Sequence, residues 1–210
     1  MHHTTTSSAP EGAPATTGRT IRRWARFYDL VVKLLMLGRE SAVRNTTIEL
    51  AQVVPGERVL DVGCGTGTLT IAAKAKVGPT GDVHGIDASP EMIDVAKRKA
   101  AQKRVDARFQ VGLIEELPFP DDQFDLVLSS FMLHHLPGDL KRRGFAEIDR
   151  VLKLGGRFLA VDLGEMRELP AMMEATGFAE VELGKTKYRI ISFLKGKAKK
   201  NDLRKVEHGS

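Results

Sequence analysis

Glycines and a carboxylate that could hold a small ligand lie together in the segment VLDVGCGTGT, residues 59–68. The apolar residues on either side of Asp61 predict a buried strand that runs into a glycine-rich turn and then a helix. Glycine adopts positive φ angles and lets the backbone come close to a ligand. Because Thr68 stands where a G-x-G-x-x-G turn has its third glycine, and no G-x-x-x-x-G-K-[ST] run follows, NAD and ATP are poor matches. The turn favours a ligand without a pyrophosphate.

A second carboxylate, Asp87, ends the next predicted strand, residues 82–87. In open α/β sheets ligands bind at the carboxyl ends of the strands, and an acid about 20 residues beyond the turn accepts hydrogen bonds from ribose hydroxyls. The glycine-rich turn and Asp87 together therefore predict a ligand that carries an adenosyl group.

Two imidazoles follow the fourth predicted strand in the sequence LHHLP, residues 133–137. Imidazole titrates near neutral pH, and this loop leaves the ligand-binding edge of the sheet. We predict His135 as the general base, with His134 as the weaker candidate and a residue of the substrate pocket. The alternative is that both rings cap the next helix or bond the backbone.

These residues would be positioned by strands that alternate with helices, a pattern that predicts a parallel sheet covered on both faces. Ser89 is the expected N-cap of the helix that begins at Pro90. The last two strands, joined by a turn, are expected to pair antiparallel. Strands are predicted at 58–62, 82–87, 107–111, 124–130, 156–163, 179–183 and 188–194, and helices at 41–53, 68–76, 90–102, 140–152 and 169–175.

The composition is that of an ordinary globular protein, with 210 residues, 42% hydrophobic and 28% charged. The longest apolar run, residues 30–37, is far shorter than the roughly 20 residues that cross a bilayer. The single cysteine, Cys64, can form neither an internal disulfide nor a multi-cysteine metal site, so we expect no metal and a cytoplasmic location. The net charge of +5 arises from basic ends. These ends are expected to be solvated, with anionic partners as the alternative.

Four motifs of the chain occur together in one order. They are PGERVLDVGCGTG at 55–67, VHGIDASPEMIDVAKRKA at 83–100, EELPFPDDQFDLVLSSFMLHHLP at 115–137 and EIDRVLKLGGRFLAVD at 147–162. With them, the segment 55–163 resembles the class I S-adenosylmethionine-dependent methyltransferases, and is most similar to the ubiquinone and menaquinone biosynthesis type. The resemblance implies a Rossmann-like α/β fold. Its seven-stranded sheet is mostly parallel with an antiparallel seventh strand, in the order 3-2-1-4-5-7-6, and has helices on both faces.

The resemblance also implies S-adenosylmethionine as the cofactor and gives roles to residues that match the family's motifs. The glycines would wrap the methionine part, Asp61 would hold its amino group and Asp87 the ribose. One departure is Leu113, which stands where the family commonly has an aspartate that meets the adenine amino group. Because leucine cannot make this hydrogen bond, the adenine contact should contribute about 1 kcal/mol less to cofactor binding. The implied cofactor-binding residues are Asp61, Gly63, Gly65, Gly67, Asp87, Ala88, Met92, Ile114 and Ser129.

The predicted function is methyl transfer to an O, C or N nucleophile of a small-molecule or lipid-like acceptor. The alternative is a non-catalytic S-adenosylmethionine-binding protein or partner subunit. Nucleic acid is disfavoured, because SSFM at 129–132 replaces the Asn/Asp-Pro-Pro-aromatic motif of nucleobase-amine methyltransferases. Phe131 in this segment is predicted to line the substrate pocket. No prediction of oligomeric state is made.

The N-terminal region is predicted to cover the pocket, because only residues 164–168 separate the fifth strand from the next helix and leave no long lid. Apolar residues at three- and four-residue spacing predict a helix at 21–37, which would bring Trp24 and Tyr28 to the substrate and could also touch a membrane surface. Packing of this helix wholly on the sheet is the equal alternative. The expected division is a disordered leader 1–18, a helical cover 19–54, a methyltransferase domain 55–196 and a basic tail 197–210.

Overall fold

Strands and helices alternate through residues 40–164, 166–188 and 190–199, which are the residues that the computed structural model describes. The helices are α1 (Glu40–Ala51), α2 (Thr68–Val77), α3 (Pro90–Lys103), α4 (Gly138–Val151) and α5 (Leu169–Ala175), with a short 3₁₀ helix at Leu133–His135. The strands are β1 (Arg58–Val62), β2 (Asp82–Asp87), β3 (Arg108–Val111), β4 (Phe124–Ser130), β5 (Leu152–Leu163), β6 (Phe178–Lys185) and β7 (Ile191–Ala198).

The seven strands form one sheet in the order β3-β2-β1-β4-β5-β7-β6. The pairs from β3 to β5 are parallel, whereas β7 is antiparallel to both β5 and β6. The expected fold is therefore confirmed, including the strand order and the direction of the last strand. The carboxyl ends of β1, β2, β4 and β5 meet at one edge, which we call the carboxyl edge.

Apolar side chains cover both faces of this sheet. The first layer packs α4 and α5 on one face through fully buried side chains such as Phe145, Ile148 and Phe158. The second layer packs α1 and α2 on the other face, with Val59 and Leu126 fully buried. At about 25 cal/mol per Å² of apolar area, burial on both faces is the main term that stabilises the sheet and holds its carboxyl edge in place.

The local signals in the sequence explain where the helices near the carboxyl edge begin. Ser89 caps α3, since its Oγ accepts a hydrogen bond from the Met92 backbone N–H at 3.2 Å, and Pro90 occupies the first turn. α2 follows directly from Gly67, whose φ of 75° is in the left-handed region. The prediction that Ser89 is an N-cap is confirmed.

Two predicted boundaries at the far side of the sheet are wrong. β5 begins at Leu152 and not at 156, because Leu152 already pairs with Phe124 of β4, although it was predicted to end the preceding helix. β7 spans 191–198 and not 188–194, so it reaches two residues into the segment assigned to the basic tail. Lysines of β7 form ion pairs with glutamates of the neighbouring strand β6. Lys195 Nζ, for example, lies 2.7 Å from a carboxylate oxygen of Glu182.

The other predicted elements are correct to within a few residues. α1 ends at Ala51 and not at 53, because the next residue, Gln52, has a positive φ of 51° that breaks the helix. The leader 1–18, the helix 21–37 and the end of the tail lie outside the described residues, as do Trp24 and Tyr28. Among the helices that are described, none has the length and apolar character needed to span a membrane.

Candidate ligand-binding site at the carboxyl edge

The glycine-rich turn between β1 and α2 is fastened to the neighbouring strand. The backbone N–H groups of Gly63 and Cys64 both donate to the carbonyl of Ile86, at 2.9 and 2.8 Å. Gly63, Gly65 and Gly67 have φ angles of 72°, 52° and 75°, which side-chain-bearing residues rarely adopt. The turn thus has a fixed backbone shape that requires its glycines.

The space around the three glycines differs. A Cβ on Gly63 would lie 2.5 Å from Cγ of Met132, and one on Gly67 would lie 2.7 Å from the Phe109 ring. A Cβ on Gly65 would have no neighbour within 4 Å in the described part of the chain. Packing therefore requires Gly63 and Gly67, whereas no described residue lies against Gly65, so a ligand could contact the backbone there.

Asp87 is held in place by the backbone on both of its oxygens. Its Oδ2 accepts from the Gly65 N–H and its Oδ1 from the Ser89 N–H, each at 2.9 Å. Burial raises the pKa of the Asp87 carboxyl, and these two hydrogen bonds oppose the rise. Each carboxylate oxygen retains a further lone pair, so Asp87 can also accept from a ligand hydroxyl.

Asp61 lies on β1, just before the glycine-rich turn, and is fully buried. Its Oδ2 accepts from the Thr70 hydroxyl at 2.7 Å, while its Oδ1 has no hydrogen-bond partner among the described residues. Burial, with a smaller contribution from the negative charge of Asp87, raises the pKa of Asp61 to about 7. A buried acid with an unsatisfied oxygen is a suitable partner for a cationic group of a ligand.

Ser129 provides a second unsatisfied polar atom at the same edge. It lies near the end of β4, in register with Val62 of β1, and is 1% exposed. Its Oγ has no hydrogen-bond partner within the described ranges. Most buried hydroxyls are paired, so the free Oγ of Ser129 is consistent with a ligand contact.

Three further residues implied to bind the cofactor are Ala88 and Met92, which follow Asp87, and Ile114, which follows β3. Ala88 is half-buried after β2, and Met92 is 5% exposed in the first turn of α3. The Ile114 side chain is buried against Gly144 of α4 and belongs to the core. The backbone of Ile114 is therefore the part that could contact a ligand.

Lys99 of α3, which the sequence did not single out, forms hydrogen bonds that hold the glycine-rich turn. Lys99 Nζ donates to the hydroxyls of Thr66 and Thr68, at 2.8 and 2.9 Å. Thr66 lies in the turn and Thr68 begins α2, so Lys99 ties α3 to the candidate site. A lysine in an amphipathic helix gives no signal of such a contact with residues 31 and 33 positions away.

The two histidines after β4 lie at the carboxyl edge, in the 3₁₀ helix. His134 Nδ1 is 2.5 Å from Oδ1 of Asp162, a residue of β5 that is 1% exposed. The rings of His134 and His135 pack together with their centroids 3.8 Å apart. Leu133, 1% exposed, anchors the segment in the core. Asp162 lies 28 residues from His134 in the sequence, and no local signal indicates that the two side chains pair.

The two residues before this 3₁₀ helix point in different directions. Phe131 has a positive φ of 54°, and its half-buried ring packs against the layer formed by α1 and α2. Met132 reaches over Gly63 of the glycine-rich turn. The predicted pocket residue Phe131 therefore lies on the α1 side of the edge, and Met132 is the residue of this segment that borders the turn.

Comparison with known proteins agrees with this geometry. A family described as a methyltransferase domain matches residues 59–156. The demethylmenaquinone methyltransferase of Halalkalibacterium halodurans is 36% identical over 139 residues, which are 66% of this chain and 56% of that protein. The ubiquinone/menaquinone biosynthesis C-methyltransferase UbiE of Burkholderia mallei is 37% identical over 141 residues, 67% of this chain and 57% of that protein.

A similar fold occurs in a crystal structure described as a SAM-dependent methyltransferase from Aquifex aeolicus. It superposes with a TM-score of 0.67 at 21% sequence identity and covers 74% of this chain and 89% of that one. The chain spans a little over half the length of its two relatives from Halalkalibacterium and Burkholderia.

Proposed function

The chain belongs to the class I S-adenosylmethionine-dependent methyltransferases, whose cofactor is S-adenosylmethionine, and on this premise we propose that it methylates a small-molecule acceptor. The observation that carries the proposal is the buried Asp61 oxygen that lacks a partner among the described residues, next to a glycine-rich turn in which no described residue would meet a Cβ on Gly65. This arrangement fits an amino acid with a cationic amino group.

Residues at the carboxyl edge are proposed to contact each part of the cofactor. Asp61 would accept from its ammonium group, the turn around Gly65 would follow its methionine part, and Asp87 would accept from its ribose hydroxyls. Ser129 would meet the methionine part, and the adenine would lie by Ala88 and Met92 within reach of the Ile114 backbone. When bound, the cofactor supplies a methyl group on a sulfonium, so the chain itself mainly has to orient the acceptor and exclude water.

A quinol-like molecule is the acceptor that the relatives favour. The two proteins that match at 36% and 37% identity are named for methylation in menaquinone or ubiquinone biosynthesis. A hydroxylated aromatic ring also suits an edge that carries two imidazoles, since a base could remove a hydroxyl proton. We therefore place quinol precursors and small phenols ahead of lipids.

The chain before α1 is proposed to cover this site. Arg157, near the amino end of the parallel part of β5, donates to the carbonyls of Ala51 and Gln52 at 3.5 and 3.4 Å, so α1 ends at the edge opposite to the site. α1 is 12 residues long, and Val43 near its start packs in one cluster with Val161 near the end of β5. α1 therefore begins near the carboxyl edge, where the preceding segment joins it. Trp24 and Tyr28 in this segment are the proposed lid residues, and a peripheral membrane contact would go through the same helix.

Ligand binding and a transfer screen test the proposal. We expect S-adenosylhomocysteine to raise the melting temperature of the protein and NAD to leave it unchanged, since a ligand that binds the native state adds RT ln(1 + [L]/Kd) to its stability. Transfer of a radiolabelled methyl group to quinol precursors, phenols or lipids would then identify the acceptor class. Stabilisation by NAD, or by neither compound, would contradict the proposal.

A non-catalytic binding protein or partner subunit is the second candidate. The short connection between β5 and α5, with residues 164–168, favours it, because a lid over the acceptor has little room there. The two candidates give different results in the same experiments. Cofactor binding without transfer to any acceptor class in the screen would favour the binding protein.

The Asp87→Ala variant is expected to bind S-adenosylhomocysteine about 1.5–3 kcal/mol more weakly, the scale of hydrogen bonds to a charged group. The variant loses the proposed ribose acceptor and also the anchor of the Gly65 N–H. Titration calorimetry measures the change. Asp94→Ala, at an exposed position of α3, is the matched control and should bind as the parent does. An unchanged affinity of Asp87→Ala would remove Asp87 from the site.

The Lys99→Met variant is expected to bind S-adenosylhomocysteine about fivefold more weakly, near 1 kcal/mol, because the turn loses its brace at Thr66 and Thr68. Lys97→Met, on the exposed side of the same helix, removes the same charge without this contact. If both variants weaken binding equally, the effect is that of net charge and the brace has no role.

A further inference from the structure

His134 and Asp162 form a pair that connects the loop after β4 to the end of β5. Asp162 is 1% exposed, and three donors converge on its carboxylate. Oδ2 accepts from the His134 backbone N–H at 3.1 Å, and Oδ1 accepts from the Leu163 N–H at 2.7 Å and faces His134 Nδ1. The backbone thus fixes the carboxylate, and the carboxylate in turn fixes the imidazole ring.

This arrangement determines which ring nitrogen of His134 is available for proton transfer. An ionised carboxylate only accepts hydrogen bonds, so Nδ1 must carry the hydrogen that it donates to Asp162. In the neutral ring the lone pair is then on Nε2. The side chain of His134 is 31% exposed while that of Asp162 is buried, so the edge of the ring that faces away from Asp162 is the accessible one.

The pair lies next to the proposed cofactor site. Asp162 comes directly after Val161, which is in register with Ser130 at the end of β4. Two residues before His134, the side chain of Met132 lies over Gly63 in the glycine-rich turn. The segment from Met132 to His134 therefore connects the turn at β1 to the carboxylate at the end of β5, along the carboxyl edge.

We propose that His134 is the general base of the reaction, that Asp162 is its positioning residue, and that the acceptor carries an acidic hydroxyl, as a hydroquinone or phenol does. The inference rests on the proposed methyl transfer. His134 Nε2 takes the hydroxyl proton, and the electron pair of the O–H bond stays on the acceptor as an oxyanion whose charge spreads into the ring. Asp162 stabilises the imidazolium, which later returns the proton to water.

This assignment replaces the prediction of His135 as the base. His135 packs its ring on that of His134, which helps to hold the plane of the His134 ring. The hydrogen bond to a buried carboxylate is the feature that the sequence could not show, and it gives His134 the oriented tautomer that a base requires.

The tautomer can be measured without an acceptor. In nitrogen-15 NMR spectra of the full-length protein with S-adenosylhomocysteine bound, we expect the neutral His134 ring to carry its hydrogen on Nδ1. The Asp162→Asn variant should shift the His134 ring towards the Nε2–H form. A His134 ring that carries its hydrogen on Nε2 in the parent protein would overturn the proposal.

Kinetics with naphthohydroquinone, kept reduced under anaerobic conditions, test the base itself. We expect His134→Ala to lower kcat about a hundredfold with an unchanged Kd for S-adenosylhomocysteine, and added imidazole to restore part of the rate. Asp162→Asn should lower kcat at least tenfold with little change in KM. His135→Ala should lower kcat less than tenfold, through the loss of ring packing.

The outcomes separate this inference from the proposed function. Failure of the parent protein to bind S-adenosylhomocysteine would refute the proposed function itself. Binding without methylation of naphthohydroquinone would overturn the acceptor class named here. A kcat for His134→Ala within threefold of the parent, or a larger loss in His135→Ala than in His134→Ala, would overturn the assignment of the base.

Discussion

The Asp61→Asn variant is expected to bind S-adenosylmethionine at least a hundredfold more weakly and yet to be more stable than the parent protein without ligand. Asp61 is fully buried, and one of its oxygens has no partner in the described part of the chain. Removal of one member of a buried ion pair typically costs 3–5 kcal/mol, which exceeds a hundredfold in affinity. The asparagine keeps the size of the side chain and its hydrogen bond from Thr70 but cannot balance an ammonium group.

The expected gain in stability has a definite pH dependence. The pKa of Asp61 is about 7 in the folded protein, above the ordinary value of 3.8, so between these pH values the folded state binds more protons than the unfolded state. The free energy of unfolding therefore falls as the pH rises from about 4 through 7. Asparagine does not ionise, so the advantage of Asp61→Asn should be largest above pH 7 and vanish near pH 4.

We estimate this advantage above pH 7 at about 1–2 kcal/mol, because the relief from burying a charge is partly offset by an amide N–H without an acceptor. It corresponds to a rise in melting temperature of about 2–6 °C. Thermal unfolding at several pH values and calorimetry with S-adenosylmethionine measure the two effects. Asp94→Asn, an exposed aspartate on α3, controls for net charge. Undiminished cofactor binding by Asp61→Asn would contradict the assigned role of Asp61.

The parts of the fold that surround the glycine-rich turn could be predicted from the sequence. The bounds of β1, β2 and β4 are as predicted, because the sequence marks where these strands end, for example by the turn after Val62 and by the acid Asp87. The predicted bounds of β5 and β7 were less accurate. The start of β5 at Leu152 and the extension of β7 through Lys197, which was predicted to lie in the basic tail, depend on cross-strand pairing that the local sequence does not show.

The contacts that fix side chains in the site could not be predicted in the same way. Asp162 and His134 are 28 residues apart, and their hydrogen bond depends on the register of β5 against β4. The contact of Lys99 with Thr68 depends in turn on how α3 packs beside α2. Sequence patterns report local structure and the order of motifs, whereas such pairings follow from tertiary packing.

Deletion of the residues before Gly38 is expected to abolish methyl transfer while the sheet stays folded. The hydrophobic layers of the described residues are built from Val43 onwards, so the deleted segment supplies none of those side chains. α1 begins near the carboxyl edge, where water must be excluded from the reacting groups, and the segment before it is the proposed cover. Circular dichroism and thermal unfolding of the truncated protein show whether the core remains, and turnover of naphthohydroquinone shows whether the cover is needed.

The full-length protein offers an independent measurement of the same segment. Trp24 is the single tryptophan of the chain, so its fluorescence reports only on the proposed cover. We expect S-adenosylhomocysteine to shift or quench this emission, because a ring that moves over the ligand loses contact with water. Tyr28→Ala should lower turnover with little loss of folding, and Thr17→Ala in the predicted leader serves as its control. Full activity in a folded truncated protein, together with unchanged Trp24 emission on ligand binding, would refute the idea that this helix covers the site.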